Sequence, residues 1–140
     1  MLLESDVFIA YIKKEDWLKK PAMAIIDAIE SGRLSPIQVS TEIFHEIYYA
    51  FSDYAPLHVI MANEAKIATI KNVNYINPDY TTYLAALSVM DTYGITCIFD
   101  AIYAATALSA NVPDHTIIST DEVYDIIRGI KRVDPRKLNI

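Results

Sequence analysis

Cys97-Ile98-Phe99-Asp100-Ala101-Ile102-Tyr103-Ala104-Ala105-Thr106-Ala107-Leu108 is the stretch on which the reading of this chain turns. A lone carboxylate, Asp100, opens a segment made almost wholly of small and apolar residues. The helix predicted there can approach its neighbours closely through Ala104, Ala105 and Ala107, as a buried central helix must. An unpaired carboxylate in such surroundings is costly. Asp100 must therefore cap its helix, face water or meet a cation.

Working outward, Asn111-Val112-Pro113-Asp114 ends that helix, and Thr116-Ile117-Ile118-Ser119 predicts a strand running into Thr120-Asp121. A short helix over 122–128 stops at Gly129, and 130–133 predicts a last strand before Asp134-Pro135. In the other direction, Pro78 opens a helix that ends before Gly94 and is expected to turn Leu84, Leu87 and Met90 inward. Val73-Asn74-Tyr75-Ile76 predicts a strand, and 56–72 a helix. Before these, 34–39 predicts a strand, with Ser40 or Thr41 capping a helix that runs to about Asp53. A helix over 17–31 tolerates Pro21 only in its first turn and stops at Gly32. Met1-Leu2-Leu3-Glu4-Ser5-Asp6 predicts a short strand, with Asp6 as N-cap of the apolar helix that follows. Short strands alternating with helices predict an α/β fold with a central, mainly parallel sheet.

The totals agree with one domain over 1–140: 53% of residues are apolar and 21% charged, enough for a real core. No apolar run approaches the roughly 18 residues a membrane span needs. No basic stretch followed by an apolar run and a cleavage site opens the chain, and Cys97 is the single cysteine. These features lead us to expect a soluble, cytoplasmic protein with no membrane partner. The net charge of −6 is unevenly spread: −1 over 1–33, −9 over 34–127 and +4 over 128–140. An acidic middle with a basic end fits a carboxylate cluster that holds cations, and equally an ordinary acidic domain with a solvated tail.

Asp6, Asp100 and Asp121 each follow a predicted strand or open a predicted helix. In an open parallel sheet such positions share the edge at the C-terminal strand ends, where ligands bind. Glu46 or Glu42, four apart on one helix face, could point to the same edge. Gathered carboxylates need a cation or raised pKa values, and oxygen-only donors favour Mg²⁺ or Mn²⁺ over zinc. Taken singly, Asp6 and Asp121 read as N-caps, and Glu42 and Glu46 as solvated helix residues.

Together the four segments resemble, in order, the motifs of the PIN domain, the metal-dependent nuclease fold that includes VapC toxins. Leu3-Glu4-Ser5-Asp6-Val7-Phe8-Ile9 is similar to the first motif, a strand ending in Asp before an apolar helix. Val39-Ser40-Thr41-Glu42-Ile43-Phe44-His45-Glu46-Ile47-Tyr48-Tyr49 is similar to the second, with Glu46 the matching acid and Glu42 in reserve. Phe99-Asp100-Ala101-Ile102-Tyr103-Ala104-Ala105-Thr106-Ala107 resembles the third, an Asp followed by an alanine-rich helix. Ile118-Ser119-Thr120-Asp121-Glu122-Val123-Tyr124 resembles the fourth, where a Ser or Thr two places before the Asp helps orient it. Two departures stand out. The family often has Asn two places after the first acid, where Phe8 stands, and a second Asp two places after the fourth, where Val123 stands.

The resemblance implies a three-layer α/β/α fold in which Asp6, Glu46, Asp100 and Asp121 bind Mg²⁺ or Mn²⁺ and hydrolyse RNA. It also implies an antitoxin partner and a homodimer, for which the helix bearing Tyr80, Tyr83, Leu84 and Leu87 is a candidate surface. The alternative is a catalytically weakened PIN-like module that binds RNA or protein. A receiver-like phospho-acceptor domain fits less well, because Lys131 lies in or beside the last strand. His45, His58 and His115 lack metal-ligand spacing, and Gly32, Gly94 and Gly129 form no phosphate loop. Cys97 reads as a buried apolar residue. Lys13, Lys14, Lys19 and Lys20 read as a solvated face that could touch RNA phosphates.

Overall fold

Every strand of the chain pairs parallel to its neighbours, and each of the first four is followed by helical structure that carries it back across the sheet. The computed structural model describes residues 1–140. In chain order it runs β1 (Leu2–Leu3), α1 (Ser5–Ile12), α2 (Lys19–Glu30), β2 (Ile37–Ser40), α3 (Glu42–Phe51), α4 (Leu57–Ala68), β3 (Val73–Ile76), α5 (Tyr80–Tyr93), α6 (Ile98–Ala107), β4 (Thr116–Ile118) and β5 (Lys131–Val133). Short 3₁₀ turns occupy Glu122–Ile126 and Pro135–Lys137.

The sheet order is β3-β2-β1-β4-β5. The chain moves outward from β1 to β2 and β3, then jumps back over β1 to β4 and β5. Right-handed crossovers therefore place α1 to α4 on one face and α5 and α6 on the other, giving three layers. The direction of winding reverses between β1 and β4, the switch point where open parallel sheets bind ligands. Leu3 stands opposite Ile118 in that central pair.

One cluster of 34 buried apolar residues fills both interlayer spaces. α6 is its most deeply buried helix: every residue from Ala101 to Ala107 is buried. This agrees with the reading of its alanines as surfaces of close approach. No single helix is long and apolar enough to cross a membrane.

Several boundaries differ from expectation. β1 stops at Leu3, and α1 begins at Ser5 with Glu4 in the N-cap position. Asp6 therefore lies inside the first turn of α1 and is not its cap. The second strand begins at Ile37, after Pro36, and runs through Ser40. α5 departs most. Asp79 caps it, accepting hydrogen bonds from the Thr81 and Thr82 amides at 3.0 and 3.1 Å, and Gly94 ends it at φ 68°. Its buried residues are Ala86 and Val89, and Met90 packs partly buried against the core as expected, while Leu84 and Leu87 are 62% and 54% exposed. The helix is apolar on more than one side, so periodicity alone does not choose the buried face.

Candidate metal-binding carboxylate cluster

The C-terminal ends of β1, β2 and β4 lie side by side, and the residues just beyond them carry the cluster. Glu4 follows β1 directly, and its amide donates to the Ile118 carbonyl at 3.2 Å. The side chain is only 4% exposed. One carboxylate oxygen accepts the Ser5 hydroxyl at 2.6 Å and the other the Ser119 hydroxyl at 3.0 Å. Burial, and then the charges of Asp6 and Glu46, push its pKa well above the ordinary 4.5.

Asp6 reaches across to the fourth segment. Its Oδ2 accepts both the Thr120 amide at 2.7 Å and the Thr120 hydroxyl at 2.6 Å. Its Oδ1 is buried without any hydrogen-bond partner. Such an orphaned oxygen is costly unless something else binds it.

α3 carries two acids one turn apart, and they have different surroundings. Glu42 is 6% exposed and has both oxygens engaged: Tyr83 donates its hydroxyl to Oε1 at 2.7 Å, and His45 Nδ1 lies 3.2 Å from Oε2. Glu46 accepts the Tyr103 hydroxyl on Oε2 at 2.6 Å, and its charge acts on Glu4 and Asp100. Of the two, Glu46 is the one in electrostatic contact with the other acids.

Asp100 is the third residue of α6, whose N-cap is Cys97, so it is not a cap itself. It is half-buried, and its pKa rises to about 6, first through burial and then through the charges of Asp121 and Glu46, with the Cys97 side chain opposing. Cys97 is only partly buried and sits beside this carboxylate, a more polar place than the apolar role expected of it. Asp121 is exposed. Its Oδ1 accepts the Val123 amide at 2.9 Å, capping the 3₁₀ turn, and its own amide donates to Ser119 Oγ at 2.9 Å. Ser119 thus ties the ends of β1 and β4 together, since the same hydroxyl donates to Glu4.

Asp6, Glu46, Asp100 and Asp121 therefore converge on one edge, and the structure adds Glu4 to them. Sequence reasoning passed over Glu4 because it read as part of a strand. A signal was available: the residue two places after Glu4 is the polar Asp6, whereas two places after Asp6 stands Phe8, which is fully buried in the core. Taking Glu4 as the strand-ending acid puts the polar Asp6, and not the buried Phe8, where the family often has Asn. Val123 remains a departure from the family pattern.

The donors are all oxygens, one of them orphaned and buried, with two carboxyls held toward protonation. This chemistry fits a hard divalent cation. No three of these side chains yet stand within one ion's reach. Of the basic residues near the first segment, Lys19 is occupied by the Tyr11 and Lys13 carbonyls, both at 2.6 Å, and Lys13 pairs with Asp16 at 3.4 Å. Lys14 and Lys20 are exposed.

The five-stranded parallel sheet with acids at its switch point defines an α/β protein of the kind that binds ligands at the carboxyl edge. More narrowly, the PIN domain family model matches residues 1–130, and the chain belongs to that family. Solved structures of the same fold include VapC20 of Mycobacterium tuberculosis, described as a toxin that cleaves the sarcin–ricin loop. It has a TM-score of 0.71 at 12% identity, covering 94% of this chain and 97% of that one. VapBC2 of Rickettsia felis, bound to a DNA fragment from its promoter, gives 0.69 at 13% identity, covering 94% and 96%. FitAcB of Neisseria gonorrhoeae gives 0.63 at 14% identity, covering 98% and 99%. A sequence search among curated proteins finds no match.

Proposed function

We propose that this chain is a divalent-metal-dependent endoribonuclease acting as the toxin of a toxin–antitoxin pair. The observation that carries the proposal is the meeting of Glu4, Asp6, Glu46, Asp100 and Asp121 at one sheet edge, with Glu4 held toward protonation by burial and the charges of Asp6 and Glu46, and Asp100 by burial and the charges of Asp121 and Glu46. Such a cluster is under strain until a cation joins it. Mg²⁺ or Mn²⁺ is the expected ion, held by Asp6, Glu46, Asp100 and Asp121 as the motifs suggest, with Glu4 as a further donor. The bound ion supplies water activation and stabilises negative charge on a phosphodiester.

The chain's own groups do the positioning. Thr120 takes one oxygen of Asp6 and leaves the other for the site. Tyr103 does the same for Glu46. Ser119 orients Glu4 and the Asp121 backbone from one hydroxyl. The half-exposed Asp100 and exposed Asp121 stand on the solvent side, where an RNA strand can reach them.

An antitoxin partner is supported by a solved structure of similar fold from Klebsiella pneumoniae, which is a toxin–antitoxin complex. Homodimerisation is a second expectation, and the exposed Tyr80, Tyr83, Leu84 and Leu87 on α5 offer an apolar surface for it. A cytoplasmic location follows from the same reading. The competing proposal, a catalytically weakened binding module, draws on Val123 in place of an acid and on the lack of a closed ligand group.

The test is cleavage of a structured RNA and of a single-stranded RNA with Mg²⁺, with Mn²⁺ and with chelator. Cleavage that requires the divalent ion is the expected result. No cleavage under any of these conditions favours the binding module, and cleavage indifferent to chelator contradicts the metal site.

A further inference from the structure

Two tyrosines are fully buried beside the carboxylates, and only one has work for its hydroxyl. Tyr103 and Tyr124 are each 0% exposed and are among the largest side chains in the core. A buried tyrosine normally finds a hydrogen-bond partner, because an unsatisfied hydroxyl in apolar surroundings is costly. Tyr124 finds none. Tyr103 spans from α6 to α3 and donates to Glu46 Oε2 at 2.6 Å. That length lies at the short end of the range for a hydroxyl hydrogen bond.

The location of Tyr103 is informative. It lies three residues after Asp100, so both side chains leave the same face of α6. It therefore sits behind Asp100 and beside Glu46, with the Ser5 hydroxyl as a further neighbour. Glu46 is a long, partly exposed side chain whose freely rotating carboxylate would sweep a wide arc. Binding one of its oxygens fixes the other. The first acid of α3 is held in the same manner, Glu42 by Tyr83, but there His45 approaches the second oxygen as well. Only the Glu46 arrangement leaves an oxygen uncommitted.

We infer that Tyr103 is a positioning residue: its buried hydroxyl fixes Glu46 so that the free oxygen of that carboxylate faces the metal-binding edge. This rests on the nuclease reading and deepens it. Orientation of a ligating carboxylate by an outer partner is worth about 10–100-fold in metal affinity or activity.

The experiment is a double-mutant cycle of Tyr103→Phe and Glu46→Gln, read by Mn²⁺ calorimetry and by kcat and KM for RNA cleavage. Tyr103→Phe keeps the ring and its packing, and a thermal melt verifies that the variant is folded. Tyr124→Phe makes the same chemical change where no acid is held, and it is expected to match the wild type in both readouts. The expected result for Tyr103→Phe is an Mn²⁺ affinity and a kcat each about 10–100-fold lower, with KM little changed. In the Glu46→Gln background the same substitution is expected to change neither. A Tyr103→Phe protein equal to a wild type that cleaves RNA and binds Mn²⁺ overturns this inference alone. So does a loss that adds fully to that of Glu46→Gln. A wild type that binds Mn²⁺ without cleaving RNA overturns the nuclease reading, and the affinities then decide the role of Tyr103. A wild type that does neither overturns both.

Discussion

Thr120 binds Asp6 twice, through its amide at 2.7 Å and its hydroxyl at 2.6 Å, and both bonds fall on the same carboxylate oxygen. This pair joins the first turn of α1 to the segment after β4, across 114 residues of sequence. It explains why Asp6 is not spent as a helix cap. Hydrogen bonds to a charged group contribute about 1.5–3 kcal/mol, and removing Asp6 strands the Thr120 donors. Asp6→Ala should therefore lower unfolding free energy by about 2 kcal/mol, and Asp6→Asn, which keeps an acceptor, by less. Urea denaturation of the two variants without metal measures the difference.

The two acids of α3 should separate by function. Glu46→Gln removes a charge that acts on Glu4 and Asp100, and activity should fall by about 10²–10³-fold, as when one preorganised electrostatic group is lost. Glu42→Gln keeps an acceptor for Tyr83 and should leave the cleavage rate within a few-fold of wild type. Single-turnover RNA cleavage at saturating Mg²⁺ compares them.

Acidity should stabilise the metal-free protein over a defined range. Asp100 has a pKa of about 6 in the folded chain against an ordinary 3.8, chiefly because of burial. The folded chain thus keeps a proton that the unfolded chain has lost, so stability falls as pH rises from 3.8 to about 6. Glu4 acts in the same direction. The melting temperature in chelator should rise as pH is lowered from 7 toward 5, and the rise should shrink in Asp100→Asn. Mg²⁺ should reduce the effect by favouring the ionised carboxylates.

Tyr124→Phe removes a buried hydroxyl that has no partner. Deleting an unsatisfied polar atom while keeping the ring should leave stability unchanged or raise it by about 1 kcal/mol. Tyr103→Phe should lower it instead, because Glu46 loses its donor. Thermal melts at one pH and salt concentration distinguish the two.

The succession of strands and helices was legible because the elements are short, punctuated and matched to their periodicities. Val73–Ile76 was placed to the residue, and the alanines of α6 correctly announced its burial. What escaped depends on contacts between distant segments. Glu42 and Glu46 share a helix face, and only the placement of Tyr83 and Tyr103 on other helices tells them apart. Glu4 looked like strand because a two-residue β1 ends sooner than its apolar start suggests. Tyr103 looked like core, which it is, and nothing local reveals where its hydroxyl points. Leu84 and Leu87 of α5 face outward for a related reason: they are more apolar than Ala86, yet the small residue is the buried one.

The central claim is that Asp100 serves a metal-dependent cleavage site and is not needed for folding. The most direct measurement is the rate of Mg²⁺-dependent RNA cleavage by Asp100→Asn beside its melting temperature. The account predicts a rate at least about 100-fold below wild type, with a melting temperature at neutral pH equal to or above that of wild type. Unchanged Mg²⁺-dependent cleavage by a folded Asp100→Asn protein would contradict it.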